Sequence, residues 1–267
     1  MNAGLSRDVG ACPYIIIQLL SLWPVWRWFL ARIGDGSDEP WGVVALVTAC
    51  LLLARGGKQG DIQSGLSLSM FFTLLYCISF NFLPALGRAA LGVLGLATLL
   101  CSFRLGRKFD LPLWGLFILS LPLLPTLQFY LGYPLRVLTA IFAVPLIECS
   151  GFDVVREGTC LRWAGELLLI DAPCSGIKMM WGIMYLNYTL SALYSLTLAQ
   201  TLITQLCSWV LIFGGNVVRT AILFFSESRI ISAPHWFHQG VGLLIFCVIG
   251  MAVVCVVRRC HGRACAH

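Results

Sequence analysis

GVGLLIFCVIGMAVVCVV, residues 240–257, runs for eighteen positions without a charged residue. A bilayer core about 30 Å thick takes about 20 apolar helical residues to cross, so this stretch reads as a transmembrane helix. Arg258 and Arg259 end it abruptly. The run before it, 200–224, has the same character but carries Asn216 and Arg219 near one end. Outward from these two, six further apolar runs fall at about 13–31, 41–54, 66–83, 87–103, 111–131 and 173–195. The chain as a whole is 59% hydrophobic and 11% charged, where a soluble domain carries about 25% charged residues. The expected fold is an all-α polytopic membrane protein of about eight transmembrane helices, with a small extracytoplasmic β-hairpin before the sixth.

The whole chain, 1–267, reads as a single membrane domain, with N-terminal spans over 1–131 and a motif-bearing half over 132–257. The first run contains Arg27 and is followed by no small-residue cleavage site, so it reads as a retained span. Pro122 and Pro125 should kink the fifth run. The net charge of +6 is modest and reads as Lys and Arg beside the membrane, with no nucleic-acid partner. Six of the twelve cysteines, Cys50, Cys77, Cys101, Cys207, Cys247 and Cys255, lie inside apolar runs, where cysteine acts as a small hydrophobe. No CxxC pair occurs, and neither a cofactor nor a metal is expected, although Cys260, His261, Cys265 and His267 crowd the C-terminal tail.

Loop charge suggests an orientation. RGGKQGD (55–61), RLGRK (104–108) and RRCHGR (258–263) are basic, while GDGSDEP (34–40) is acidic. Basic loops on the cytoplasmic side put both termini there and agree with eight spans. The long connection 132–172 then faces outward. Within it, YPLRVLTAIFAVPLIECSG (133–151) reads as an interfacial or re-entrant helix. FDVVREGTCLRWAGELLLIDAP (152–173) alternates, is broken at EG and AG, and reads as a hairpin. Cys149 and Cys160 in this connection could pair in an oxidising compartment.

Three features lie at the outward ends of the last three spans. In DAPCSGIKMMWG (171–182), Pro173 suits the first turn of a helix, which exposes Cys174, Ser175 and Gly176 to free N–H groups and the positive dipole end. Lys178 is four residues on and adds positive charge, which favours a thiolate. In GGNVVRT (214–220), Asn216 and Arg219 share a helix face, and an arginine at that depth costs about 2.5–3.5 kcal/mol to insert. HWFHQGVG (235–242) opens the last span with His235 and His238. Singly, each has an ordinary reading: a small apolar cysteine, a snorkelling arginine, a histidine in an interfacial belt. Together they supply a nucleophile, a proton carrier and an oxyanion stabiliser.

In that order and on consecutive spans, CSG, NxxR and HxxxG resemble the exosortase/archaeosortase family of membrane cysteine transpeptidases. YPLR (133–136) and VVREG (154–158) extend the likeness, which covers about 133–250. The resemblance implies that Cys174 is the nucleophile, that Arg219 is the catalytic arginine with Asn216 its motif partner, and that His238, with Gly242 four residues on, is the catalytic histidine. His235 lacks such a glycine. The family often has Glu-Ala before Cys-Ser-Gly and arginine where this chain has Lys178; here Asp171, Ala172 and Pro173 precede Cys174. Lysine keeps the charge without the bidentate geometry.

By that resemblance the protein cleaves a C-terminal sorting signal from exported proteins through an acyl-enzyme thioester. The implied partners are exported substrates carrying a recognition motif and a transmembrane anchor, together with the lipid bilayer. The implied location is a bacterial inner membrane, with the active site on the extracytoplasmic side. The alternatives are a polytopic transporter, which would use the same cations to bind an anion, and a non-catalytic membrane assembly factor. A protease that only hydrolyses would share every one of these residues.

Overall fold

Pro122 and Pro125 do more than kink the run that contains them. In the computed structural model, which describes residues 13–34, 40–56, 62–170, 175–234 and 236–265, the expected fifth span is two helices. The short α6, Leu111–Leu119, stops at Ser120, and α7 begins anew at Leu124. Pro122 has no N–H to continue the ladder, whereas Pro125 falls in the first turn of α7, where none is needed. Helix α7 then continues to Glu148 over 25 residues, through Pro134 and Pro145. The interfacial or re-entrant reading of 133–151 is thereby corrected: most of that segment belongs to a helix long and apolar enough to cross a membrane.

The expected eight spans do not become eight long helices. Among the described residues, five helices have the length and composition to cross: Gln63–Asn81, Ala85–Leu105, Leu124–Glu148, Leu198–Glu227 and Phe237–Gly262. A sixth is reached if Pro13–Ser21 (α1) and Trp23–Gly34 (α2), bent by 58° at Leu22, count as one. Trp41–Arg55 (α3) is apolar but has 15 residues, and Ile177–Leu193 (α8) has 17. The others are α4 (Ile62–Ile78), continued by a 3-10 turn to Asn81, then α5 (Ala85–Leu105), α9 (Leu198–Glu227) and α10 (Phe237–Cys265). The chain is an integral membrane protein built mainly of helix.

The helices group into two compact units, one comprising residues up to Leu123 with Ser191–Leu198, the other comprising Leu124–Leu190 and Ala199 onward. In the first unit, small residues let backbones approach closely. A side chain at Gly65 would overlap Ser102, one at Gly92 would overlap Leu22, and one at Gly42 would overlap the Ser120 carbonyl. The Ser69 hydroxyl donates to the Gly95 carbonyl at 2.9 Å, and the Thr73 hydroxyl to Gln18 Oε1 at 3.0 Å. Arg104 closes the end of α3 by donating to the Leu53 and Ala54 carbonyls at 3.1 and 2.9 Å. At the α1–α2 bend, the Ser21 hydroxyl donates to the Gln18 carbonyl at 2.8 Å and the Trp26 indole to the Leu19 carbonyl at 2.9 Å.

In the second unit the expected hairpin is a three-stranded antiparallel sheet, β1 (Val155–Glu157), β2 (Cys160–Trp163) and β3 (Glu166–Leu169), in that order. Both breaks seen in the sequence are turns. Ala164 and Gly165, at φ 51° and 85°, form the second, a two-residue loop of the kind that matches strand twist. Arg162 and Glu157 pair across β1 and β2 at 2.7 Å. Cys149 and Cys160 are both free thiols. The sheet docks on α9 through Leu161, which is buried, and through Trp163 and Phe152, whose ring centres lie 6.1 and 6.4 Å from that of Phe224.

Helices α8, α9 and α10 pack closely in the same unit. A Cβ at Gly215 would overlap Ile249, and one at Gly182 would come within 2.9 Å of the Phe246 ring. Between α8 and α9, buried Asn187 donates to Gln205 Oε1 at 2.9 Å. Cross-helix bonds of this kind in membranes average about 0.6 kcal/mol and reach about 1.7. Asn187→Ala and Gln205→Ala are each expected to lower the melting temperature in detergent, and the double variant by less than the sum. Strict additivity would show that the pair is not coupled.

Candidate functional site

The pairs Asn187–Gln205 and Gly215–Ile245 run α9 against α8 and α10. The start of α8, the end of α9 and the start of α10 therefore share one end of the second unit. The sheet is seated on α9 at that end, and its last strand leads toward α8. Cys174, with Asp171, Ala172 and Pro173, lies outside the described residues, as does His235. The tail residues Cys265 and His267 carry no described side chain either.

The residues on both sides of the cysteine segment are held in place. Upstream, Arg136 of the YPLR motif donates from Nη1 to the Ile170 carbonyl at 3.4 Å and from Nε to the Gly132 carbonyl at 3.2 Å. It thus ties the end of the sheet to α7. Downstream, buried Ser175 donates to Gln128 Oε1, also on α7, at 3.0 Å. Gly176 has φ +78°, and a Cβ there would stand 2.9 Å from Asn216 Cγ. Glycine is required twice over, by the left-handed backbone and by the approach of Asn216. Asn216, 3% exposed, donates from Nδ2 to Thr139 Oγ1 at 3.1 Å. The CSG and NxxR motifs therefore meet directly, with α7 behind both.

NxxR and HxxxG meet as well. Arg219 Nη2 is 3.2 Å from His238 Nε2. A guanidinium only donates, so in the neutral ring the nitrogen it faces is the acceptor and the ring proton belongs to Nδ1. The glycine of HxxxG explains the closeness: a Cβ at Gly242 would be 3.3 Å from Arg219 Nε. His238 Nδ1 in turn faces Glu227 Oε1 at 3.6 Å. Lys178 is exposed on the first turn of α8.

Of the residues expected from sequence, Ser175, Gly176, Asn216, Arg219 and His238 are joined by this chain of contacts. Glu227, Gln128 and Thr139 are new to it. Glu227 had one signal in the sequence: it lies eight residues, about two turns, past Arg219 on the same helix. Beside Glu227, the residues Leu161, Leu168, Ile170, Thr220, Leu223 and Phe224 line a mainly apolar cavity between the sheet and α9.

Residues 11–255 match the model of the transmembrane exosortase family. That match includes the first spans, where the motifs offered no likeness beyond apolarity. No curated protein and no solved structure matches the chain. With the CSG, NxxR and HxxxG segments meeting at one end of a membrane-spanning unit and the family match running over nearly its whole length, the chain belongs to the transmembrane exosortase family.

Proposed function

We propose that the protein is a cysteine transpeptidase that removes a C-terminal sorting signal from exported membrane-anchored proteins, with Cys174 as nucleophile and Arg219 and His238 as its catalytic partners. Family membership supports the reaction class. The observation that supports the residue assignment is the Arg219–His238 contact at 3.2 Å, with Arg219 three residues along α9 from Asn216, which meets Gly176 of the CSG motif.

The chemistry follows from what these groups can do. As the substrate carbonyl draws the Arg219 donors to itself, the His238 Nε2 lone pair that Arg219 had occupied is freed. The Cys174 thiol gives its proton to that lone pair, and the thiolate attacks the scissile carbonyl carbon. The carbonyl π-bond breaks and its electrons move to oxygen. Arg219, with donors in a fixed fork, stabilises that oxyanion. As the tetrahedral intermediate collapses, the C–N bond breaks and His238 returns its proton to the leaving amine, which departs with the membrane anchor. The thioester left on Cys174 is then attacked by an acceptor nucleophile, which His238 deprotonates. Asn216 and Gly176 hold the Ser175–Gly176 segment that follows Cys174 against α9, Ser175 secures it to α7, and Lys178 adds positive potential. The site faces the extracytoplasmic side of a bacterial inner membrane, where exported substrates arrive.

The direct test uses an exported host protein whose C-terminus carries a short motif, an apolar span and a basic cluster. With a tag at its N-terminal side, it is co-expressed with wild-type or Cys174→Ser protein at matched levels. Precursor should accumulate with the serine variant and be processed with wild type. Equal processing of several such substrates by both would overturn the nucleophile assignment and favour a transport or assembly role. Mass spectrometry of the product distinguishes a free carboxylate, which is hydrolysis, from a new amide or ester.

A further inference from the structure

We infer that Glu227 is the positioning residue of His238, completing an Arg219–His238–Glu227 relay. This inference rests on the reading of the site proposed above. The ring has one nitrogen toward each neighbour: Nε2 toward Arg219 at 3.2 Å and Nδ1 toward Glu227 Oε1 at 3.6 Å. Because Arg219 can only donate, the proton of a neutral His238 resides on Nδ1, and a carboxylate oxygen lies 3.6 Å from that nitrogen. A free imidazole shares its proton between the two nitrogens. A carboxylate beside Nδ1 holds the tautomer whose Nε2 lone pair can take a second proton, and it offsets the positive charge that this creates. The separation is ion-pair range and long for a hydrogen bond. Catalytic contacts in substrate-free sites commonly tighten when substrate binds.

A plain surface ion pair accounts for Glu227 poorly. It is the last residue of α9, at the negative end of the helix dipole, where an acidic side chain is disfavoured. The carboxylate also borders the mainly apolar cavity between the sheet and α9, which limits solvent on one side.

The test measures kcat and KM for the tagged exported substrate with enzyme in native membranes. Cys174→Ala serves as the inactive control, and Glu227→Gln, Glu227→Asp, His238→Ala and His238→Ala/Glu227→Gln are compared. Glu227→Gln is expected to lower kcat about tenfold to a hundredfold with KM within about twofold. Glu227→Asp should recover part of that loss. In the His238→Ala background, Glu227→Gln should change nothing further. Wild-type kcat in Glu227→Gln, with Cys174→Ala inactive, overturns the role of Glu227 while leaving the enzyme reading in place. The same loss from Glu227→Gln with and without His238 shows that Glu227 acts elsewhere and also overturns it. Full activity of Cys174→Ala overturns the enzyme reading, and the inference falls with it.

Discussion

Arg219→Ala should reduce substrate processing about a hundredfold to a thousandfold, the loss of about 2.7–4 kcal/mol that follows removal of an oxyanion donor. The size of the effect follows from its position. Arg219 lies within a long apolar helix, half-buried, and is spaced to reach the lone pair of His238 at 3.2 Å. Nothing short of a second cation at the same point would replace it. Arg219→Lys keeps the charge but loses the planar fork, and the glycine recess at Gly242 fits a guanidinium edge. It should therefore recover little, remaining more than about tenfold below wild type. Protein level and melting temperature should stay close to wild type, since the expected defect is chemical. Processing by Arg219→Ala within a few-fold of wild type, at equal protein level, would remove the arginine from the mechanism.

Gly176→Ala should also be nearly inactive, by another route. At φ +78° a side chain costs roughly 1–2 kcal/mol in backbone strain alone. The added methyl carbon would lie 2.9 Å from Asn216 Cγ and 3.1 Å from its Oδ1. Asn216 cannot retreat freely, because it is buried and bonded to Thr139 on α7 at 3.1 Å. The Ser175–Gly176 backbone has to move instead. Processing should fall to less than about a tenth of wild type while the membrane bundle stays folded. Gly176→Ala/Asn216→Ala would relieve the contact but leave the strain, so it should not restore activity. Wild-type processing in Gly176→Ala would show that the turn has room these contacts deny it.

The long apolar runs at 200–224 and 240–257 were legible because period and length agree and no proline intervenes. The region around α7 was not. Pro134, Pro145 and Arg136 look like reasons to interrupt a helix. Arg136 instead supplies hydrogen bonds to the Gly132 carbonyl and to the sheet, and α7 runs on. Pro122 and Pro125 looked like one kink within a span; one of them is a stop and the other a start. The two glycine breaks before the cysteine were both turns, which makes three strands where two were expected. For the site, motif spacing on consecutive spans pointed to Asn216, Arg219 and His238, because a helix face is written in sequence spacing. Gln128 and Thr139 carried no such mark, and Glu227 only its spacing of about two turns from Arg219. They become neighbours only through the turn between α9 and α10 and through the packing of α7.

The bend at Leu22 has a consequence for how the chain enters the membrane. A break in a helix surrounded by lipid exposes carbonyls that no water can satisfy, at several kcal/mol each. Here Ser21 covers the Gln18 carbonyl and Trp26 covers that of Leu19, all within nine residues of one another. The elbow thus carries its own solvent. Residues 18–26 cover these carbonyls themselves, and Leu22 and Gln18 are also held by Gly92 and Thr73, so the segment should keep its shape in a detergent micelle or a thinner bilayer.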